Sequence, residues 1–161
     1  MGNYKQAIHE IRTIVNKTVE EIEQKAMKRG YQAANVLTNE VKRILSGQRS
    51  GRIYKVKKTG GKSKKSGVVY TASAPGEPPA IRFGTLRTSF KRRSYSEKKG
   101  NELIIHAITE SDLQVNGHLL GDLLENGTKR IAPRPYKQKT IDAALPKVTE
   151  IFSRSYKNSG G

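Results

Sequence analysis

The chain has 161 residues, enough for one domain with a core of its own. Its apolar share of 34% is low and its charged share of 28% slightly high, which assigns part of the chain to loops or extensions. It has no cysteine, which excludes disulfide frameworks, thiolate metal sites and cysteine nucleophiles; a formal charge of +17 makes an anionic partner the first expectation.

That charge is concentrated. Residues 1–41 carry six Lys/Arg against five Asp/Glu, and residues 100–161 carry eight against seven. Residues 42–99 carry seventeen against only Glu77 and Glu97, a balance of +15. One continuous basic segment between two nearly neutral ones suits nucleic acid, an acidic protein surface, or both. The plain alternative is a loop kept soluble by lysine. No run approaches the roughly eighteen apolar residues of a membrane helix, and no leader opens the chain, so neither membrane insertion nor export is expected. Gln6 stands where myristoylation wants Ser or Thr. The sequons at Asn16 and Asn126 read as chance.

The first element is a helical stripe. Tyr4, Ile8, Ile11, Val15, Val19, Ile22, Ala26, Gly30, Ala33, Leu37, Val41 and Ile44 step by three or four throughout, about 3.64 residues per step. The spacing predicts one helix over residues 1–46, roughly 60 Å long, capped by Asn3 and stopped at Ser46-Gly47. The alternative is two helices broken at Gly30, since glycine costs about 1 kcal/mol inside a helix. Part of so long a helix is expected to meet another subunit.

Residues 47–110 read as a basic hairpin and sheet. Arg52–Lys57 and Val68–Ala72 are strand-like, joined by the glycine- and lysine-rich stretch Lys58–Gly67, which lacks any apolar anchor and is expected to be mobile in the free chain. Ala74–Pro79 is a proline-glycine elbow. A turn at Gly84–Arg87 leads to a basic strand near Ser89–Tyr95, and Glu97-Lys98-Lys99-Gly100 reads as a tight connection. Leu103–Ile108, apolar on both faces, reads as a central strand. Residues 118–158 return to helix: a short turn at Leu119–Glu125 stopped by Asn126-Gly127, a rigid Pro133-Arg134-Pro135 elbow, and a last helix that Pro146 should kink or restart. The order predicts a single α+β domain, a long N-terminal helix and a C-terminal helix on a small antiparallel sheet with a long basic hairpin.

Little chemistry is visible. Gly61-Lys62-Ser63 imitates the end of a phosphate-binding loop, but Val56 stands where that loop needs glycine. His9, His106 and His118 lie in separate elements; His118 and Asp122 would share a helical face, an ordinary surface pair more often than a metal site. The reading assigns no catalytic residue, no metal and no cofactor.

Two stretches carry a resemblance. Ser73-Ala74-Pro75-Gly76-Glu77-Pro78-Pro79-Ala80, followed by Gly84-Thr85-Leu86-Arg87-Thr88-Ser89-Phe90, is one. Leu124-Glu125-Asn126-Gly127-Thr128, followed by Ile131-Ala132-Pro133-Arg134-Pro135-Tyr136 and a helix, is the other. In this order the chain resembles the tail-completion, or head–tail joining, proteins of long-tailed bacteriophages. It departs from their pattern in the turn Phe83-Gly84-Thr85-Leu86, in Asn126 where an aromatic is common, and in Tyr136 for phenylalanine. The resemblance implies a non-enzymatic virion protein of the neck, assembled in the host cytoplasm as a six-fold ring. Its neighbours would be the neck or stopper protein and the tail terminator or tail tube protein, around packaged double-stranded DNA.

On that reading Lys57, Lys58, Lys62, Lys64, Lys65, Lys91, Arg92 and Arg93 would face DNA or an acidic partner ring. Pro75, Gly76, Pro78, Pro79, Gly84, Gly127, Pro133 and Pro135 would be structural turns. Six copies of the +15 segment would bring 90 charges, against about 18 phosphates of duplex in a ring about 30 Å tall. Much of the charge must therefore meet protein or solvent. The rival reading is a free-standing nucleic-acid binder of nucleoid or ribosomal type; a nuclease using Glu125 and His118 is a distant third.

Overall fold

A computed structural model describes residues 2–57 and 67–156, without the side chains of residues 2, 3, 56, 57, 67 and 68. The long stripe folds as one helix, α1 (Gly2–Ser46), unbroken through Gly30. It starts at Gly2, so Asn3 lies inside the first turn rather than capping it.

Next come β1 (Ile53–Lys57) and β2 (Gly67–Thr71), an antiparallel pair that brings Tyr54 opposite Tyr70 with their rings stacked. Of the stretch expected to be mobile, Lys58–Gly67, residues 58–66 lie outside the described residues, and Gly67 opens β2. After the elbow comes a short helix, α2 (Thr85–Ser89), so Ser89 ends a helix rather than starting a strand.

The basic strand is β3 (Lys91–Lys99), paired antiparallel with β4 (Glu102–Glu110). Lys98 and Lys99 belong to the ladder, and the tight connection is Gly100-Asn101, with Gly100 at φ 61° where a two-residue hairpin turn wants glycine. β4 is not central: among the described strands it has only β3 as a neighbour, and these strands form three two-stranded ladders. Its apolar odd positions are half-buried and lie against helix rather than a second sheet, Ile105 over Gly30 of α1.

The sequence reading missed β5 (Gln114–Val115) and β6 (His118–Leu119), closed by Asn116 at φ 52° and Gly117 at φ 79°. Then follow α3 (Leu120–Asn126) and α4 (Lys137–Ser153). α4 runs through Pro146 as one helix; the proline cannot donate to the Asp142 carbonyl. The fold is α+β.

The second half of α1 is the axis of the domain, with α4 on one flank and the β3–β4 hairpin on the other. Close approach is possible because small residues stand at the contacts. Ala33, Ala34 and Ala144 are fully buried. At Gly30 a Cβ would overlap Ile105 Cγ2 and Ser94 Oγ, so the glycine that looked like a helix breaker is where the hairpin crosses the helix. Farther along, Val41 and Leu45 of α1 meet Phe90 and Tyr136 in the main apolar cluster, the two rings edge-on at 6.1 Å.

α4 is capped at both ends by other elements. Its N-cap position, Tyr136, makes no side-chain cap. Instead Glu125 Oε2 of α3 accepts from Tyr136 N at 2.9 Å and Lys137 N at 3.1 Å, a carboxylate where the helix dipole favours one. At the far end the Arg29 guanidinium donates to the carbonyls of Arg154 (2.5 Å) and Ser155 (2.6 Å) and covers the Tyr156 ring. Glu40, buried in α1, is held below the usual carboxylate range by the Arg43 hydrogen bond above all, and also faces Lys147 of α4 at 3.5 Å.

Candidate functional site

The eight basic residues assigned to DNA or an acidic ring divide into two groups. Lys58, Lys62, Lys64 and Lys65 lie outside the described residues; Lys57 is placed by its backbone alone, opposite Gly67. The run Lys91-Arg92-Arg93 is fully described, and the strand pleat splits it. Arg92 turns to α1, donating from Nε to Tyr31 Oη at 2.6 Å and from Nη1 to Asn35 Oδ1 at 3.2 Å. Lys91 and Arg93 point to the opposite face, each beside a carboxylate: Asp112 at 2.8 Å and Glu110 at 3.5 Å. The Lys91–Asp112 hydrogen bond raises the lysine pKa and lowers that of the aspartate. These three residues do not form one cationic surface; each is exposed but already has a partner.

Most of the eight turn residues meet at one joint instead. Ala74-Pro75-Gly76-Glu77 is a β-turn closed by Glu77 N to Ala74 O at 3.1 Å, with Gly76 at φ 79° in the position that demands glycine when proline precedes it. The Glu77 carboxylate then gathers three donors: the Ser50 hydroxyl at 2.7 Å, Ala74 N at 2.8 Å and Ser50 N at 3.1 Å. They push its pKa down to about 2, the hydroxyl foremost. Ser73 Oγ donates to Pro78 O, and Arg49 Nη2 bridges Pro79 O at 3.0 Å and Ile44 O at 2.8 Å, tying the elbow to the end of α1.

The second stretch docks on the first. Gly76 N donates to Pro133 O at 3.3 Å, and Arg134 Nη1 donates to the carbonyls of Ser73 and, at 2.9 Å, Ala74. Pro133 and Pro135 fix the backbone on either side of Arg134, whose own N–H is taken by Leu124 O at 2.7 Å. Gly127, at φ 75°, faces the chain so closely that a Cβ would stand 2.7 Å from Ile131 O and 2.8 Å from Pro133 N. Gly84, at φ 77°, opens α2. The sequence reading missed Arg134, Arg49 and Arg29; an arginine isolated between two prolines was the one available signal.

An apolar groove of about 450 Å³ lies between α1, β4 and α4, lined by Leu37, Val41, Phe90, Ile108, Leu119 and Ile141. At its rim Asp122 pairs with Lys137 at 2.6 Å. Burial, then the charges of Glu125 and Asp122, push the Tyr136 phenol up to about 12, so it remains a neutral hydroxyl. His118 is on β6, not on a helical face with Asp122, and Glu125 serves as the α4 cap. His106 stacks on Tyr95 at 4.4 Å, with Nε2 3.2 Å from Glu97. Among the described residues no group of three or more His, Asp or Glu could hold a metal ion, and no helix is long and apolar enough to cross a membrane.

Set against protein-family models, curated proteins and solved structures, the chain matches none.

Proposed function

We propose that the chain is a structural protein of the head–tail interface of a long-tailed bacteriophage, one subunit of a ring that joins neck to tail around the DNA channel. The observation carrying this reading is the joint between the two elbows. The two stretches that resemble tail-completion proteins are separate in sequence, yet they bond directly through Gly76–Pro133 and through Arg134–Ser73/Ala74, the last two pairs 61 and 60 residues apart. A motif pair kept for architecture should meet in space, and these do. Their chemistry is hydrogen bonding of backbone carbonyls, suited to holding loops at a fixed angle rather than to turning over a substrate.

The pairing of Lys91 and Arg93 with Asp112 and Glu110 favours a protein neighbour over free nucleic acid for that strand. The rival reading, a free-standing nucleic-acid binder, explains the charge but not the joint.

The test is a particle image. With the chain tagged at a surface loop and supplied to a phage lacking its own copy, label should appear at the neck, between portal and tail tube. Label dispersed in the host cytoplasm, or absent from purified virions, rejects the reading.

A further inference from the structure

Among the described residues nothing covers the first half of α1. Tyr4, Ile11, Ile14, Val15, Val19 and Ile22 are 40–75% exposed, whereas Ala26, Ala33, Ala34 and Val41 farther along the same helix are at most 5% exposed. Residues 4–22 span about 27 Å of bare helix. Helices in proteins owe most of their stability to packing an amphipathic face, so this stripe lacks the contact that would normally hold it.

The sequence of the stripe selects the occupant. Tyr4 and Ile22, Ile8 and Val19, Ile11 and Val15 stand at equal or nearly equal distances from position 13. A second copy laid antiparallel therefore sets apolar residue on apolar residue along the whole length. Charge makes the same choice. Lys5, Arg12 and Lys17 against Glu10 make the start basic, and Glu20, Glu21 and Glu23 make the end acidic. Antiparallel pairing puts basic starts on acidic ends and opposes the helix dipoles; parallel pairing would stack the three glutamates on their own copies. Glu23 already has Lys98 beside it, which leaves Glu20 and Glu21 to meet Lys5.

The domain supplies a seat at the end of the stripe. Ile22, Ala26, Leu103, Ile105, Phe152 and Tyr156 line an apolar notch of about 490 Å³. In the antiparallel pair the Tyr4 of one copy arrives at Ile22 of the other, at the mouth of that notch.

The geometry points to a two-fold dimer of the free chain, built by antiparallel pairing of residues 4–22 of two copies, each Tyr4 entering the other's notch. The contact uses the same patch on both copies, so it closes at two. Two stripes of this length bury an area near the lower bound of about 1,000 Å² for a specific interface, which makes the dimer reversible. If the chain also builds a cyclic ring, which has no perpendicular two-fold axis, the pair must open for it. The inference rests on the stripe alone, independently of the head–tail reading.

The full chain should show a monomer–dimer equilibrium in sedimentation. Changing Ile11→Glu with Val15→Glu should weaken the dimer by about a hundredfold or more, while hydrogen-exchange protection at Ala33, Ala34 and Val41 stays unchanged. Because the chain has no cysteine, orientation can be read directly. An equal mixture of Tyr4→Cys and Ile22→Cys chains should oxidise to mixed disulfides between the two variants. A monomer up to millimolar concentration, a dimer indifferent to the double substitution, or disulfides confined to like variants would each overturn the proposal. None of these results bears on whether the chain sits in a phage neck, and absence from the neck leaves the dimer standing.

Discussion

Gly30 of α1 lies directly under Ser94 of β3, with no room for a methyl group between them. Replacing Gly30 by alanine should improve helix propensity by up to about 1 kcal/mol but overpack the crossing by about 1–3 kcal/mol. The expected outcome is a net loss near 1 kcal/mol in urea unfolding, and a larger loss for Gly30→Val. The Ser94 hydroxyl at the same crossing is buried with no hydrogen-bond partner among the described residues. Ser94→Ala should therefore be neutral or stabilising by up to about 1 kcal/mol.

Gly76 and Gly127 were expected to be equally structural, and the structure separates them. Both have positive φ, but a Cβ at Gly76 meets nothing within 4 Å among the described residues, whereas at Gly127 it collides with backbone of residues 131 and 133. Gly76→Val should cost about 1–2 kcal/mol, the penalty of a left-handed residue. Gly127→Val should cost more than about 3 kcal/mol or prevent folding. Equal midpoints in a thermal melt would contradict this ordering.

Glu125 caps α4 from a neighbouring helix. Glu125→Ala should cost about 1 kcal/mol, and Glu125→Gln less, since its carbonyl oxygen still accepts from Tyr136 N. A well-folded Glu125→Gln protein with no function would point instead to chemistry at that carboxylate.

Glu77 gives the elbow a pH dependence with a defined sign. Its folded pKa, about 2, lies below the ordinary value of 4.5. Its contribution to stability is therefore complete above pH 4.5 and fades as the pH falls from there toward 2. Acid unfolding monitored by circular dichroism should show a component in that window, and Glu77→Gln should remove it.

For the basic tip, changing Lys62, Lys64 and Lys65 to serine should leave folding close to wild type. The log–log salt slope of DNA binding should fall by roughly 0.9 for each phosphate no longer neutralised. Complementation then separates two jobs. Assembled particles that lose or misdirect DNA would assign the tip to the channel, and unjoined heads and tails would assign it to a neighbouring ring. Wild-type joining, DNA retention and infectivity would reduce the tip to a solvated loop.

The sequence disclosed whatever repeats with a period. The stripe from Tyr4 to Ile44 predicted α1 through Gly30 because apolar spacing records which face is buried. It could not say by what, so the bare stretch before Ile22 and the covered one after it read alike. Lys91-Arg92-Arg93 looked like one patch because a string of letters hides the alternation of a strand. Asn116-Gly117 was a legible hairpin signal and was passed over. The arginines at 29 and 49 left no trace, because a guanidinium reaching a distant carbonyl requires nothing of its sequence neighbours; only Arg134 was marked, by the prolines on either side of it.

The clasp between Arg29 and the end of α4 has a consequence in time. Its partners stand more than 120 residues apart in the chain, and contacts of that separation close late in folding. On a ribosome working at about 5–20 residues per second, Arg29 would be made roughly 6–25 s before Arg154. Through that interval even the alanine face destined for burial is open. The nascent chain must pass it without sticking to its neighbours, and the last helix to be synthesised is the one that ends the exposure.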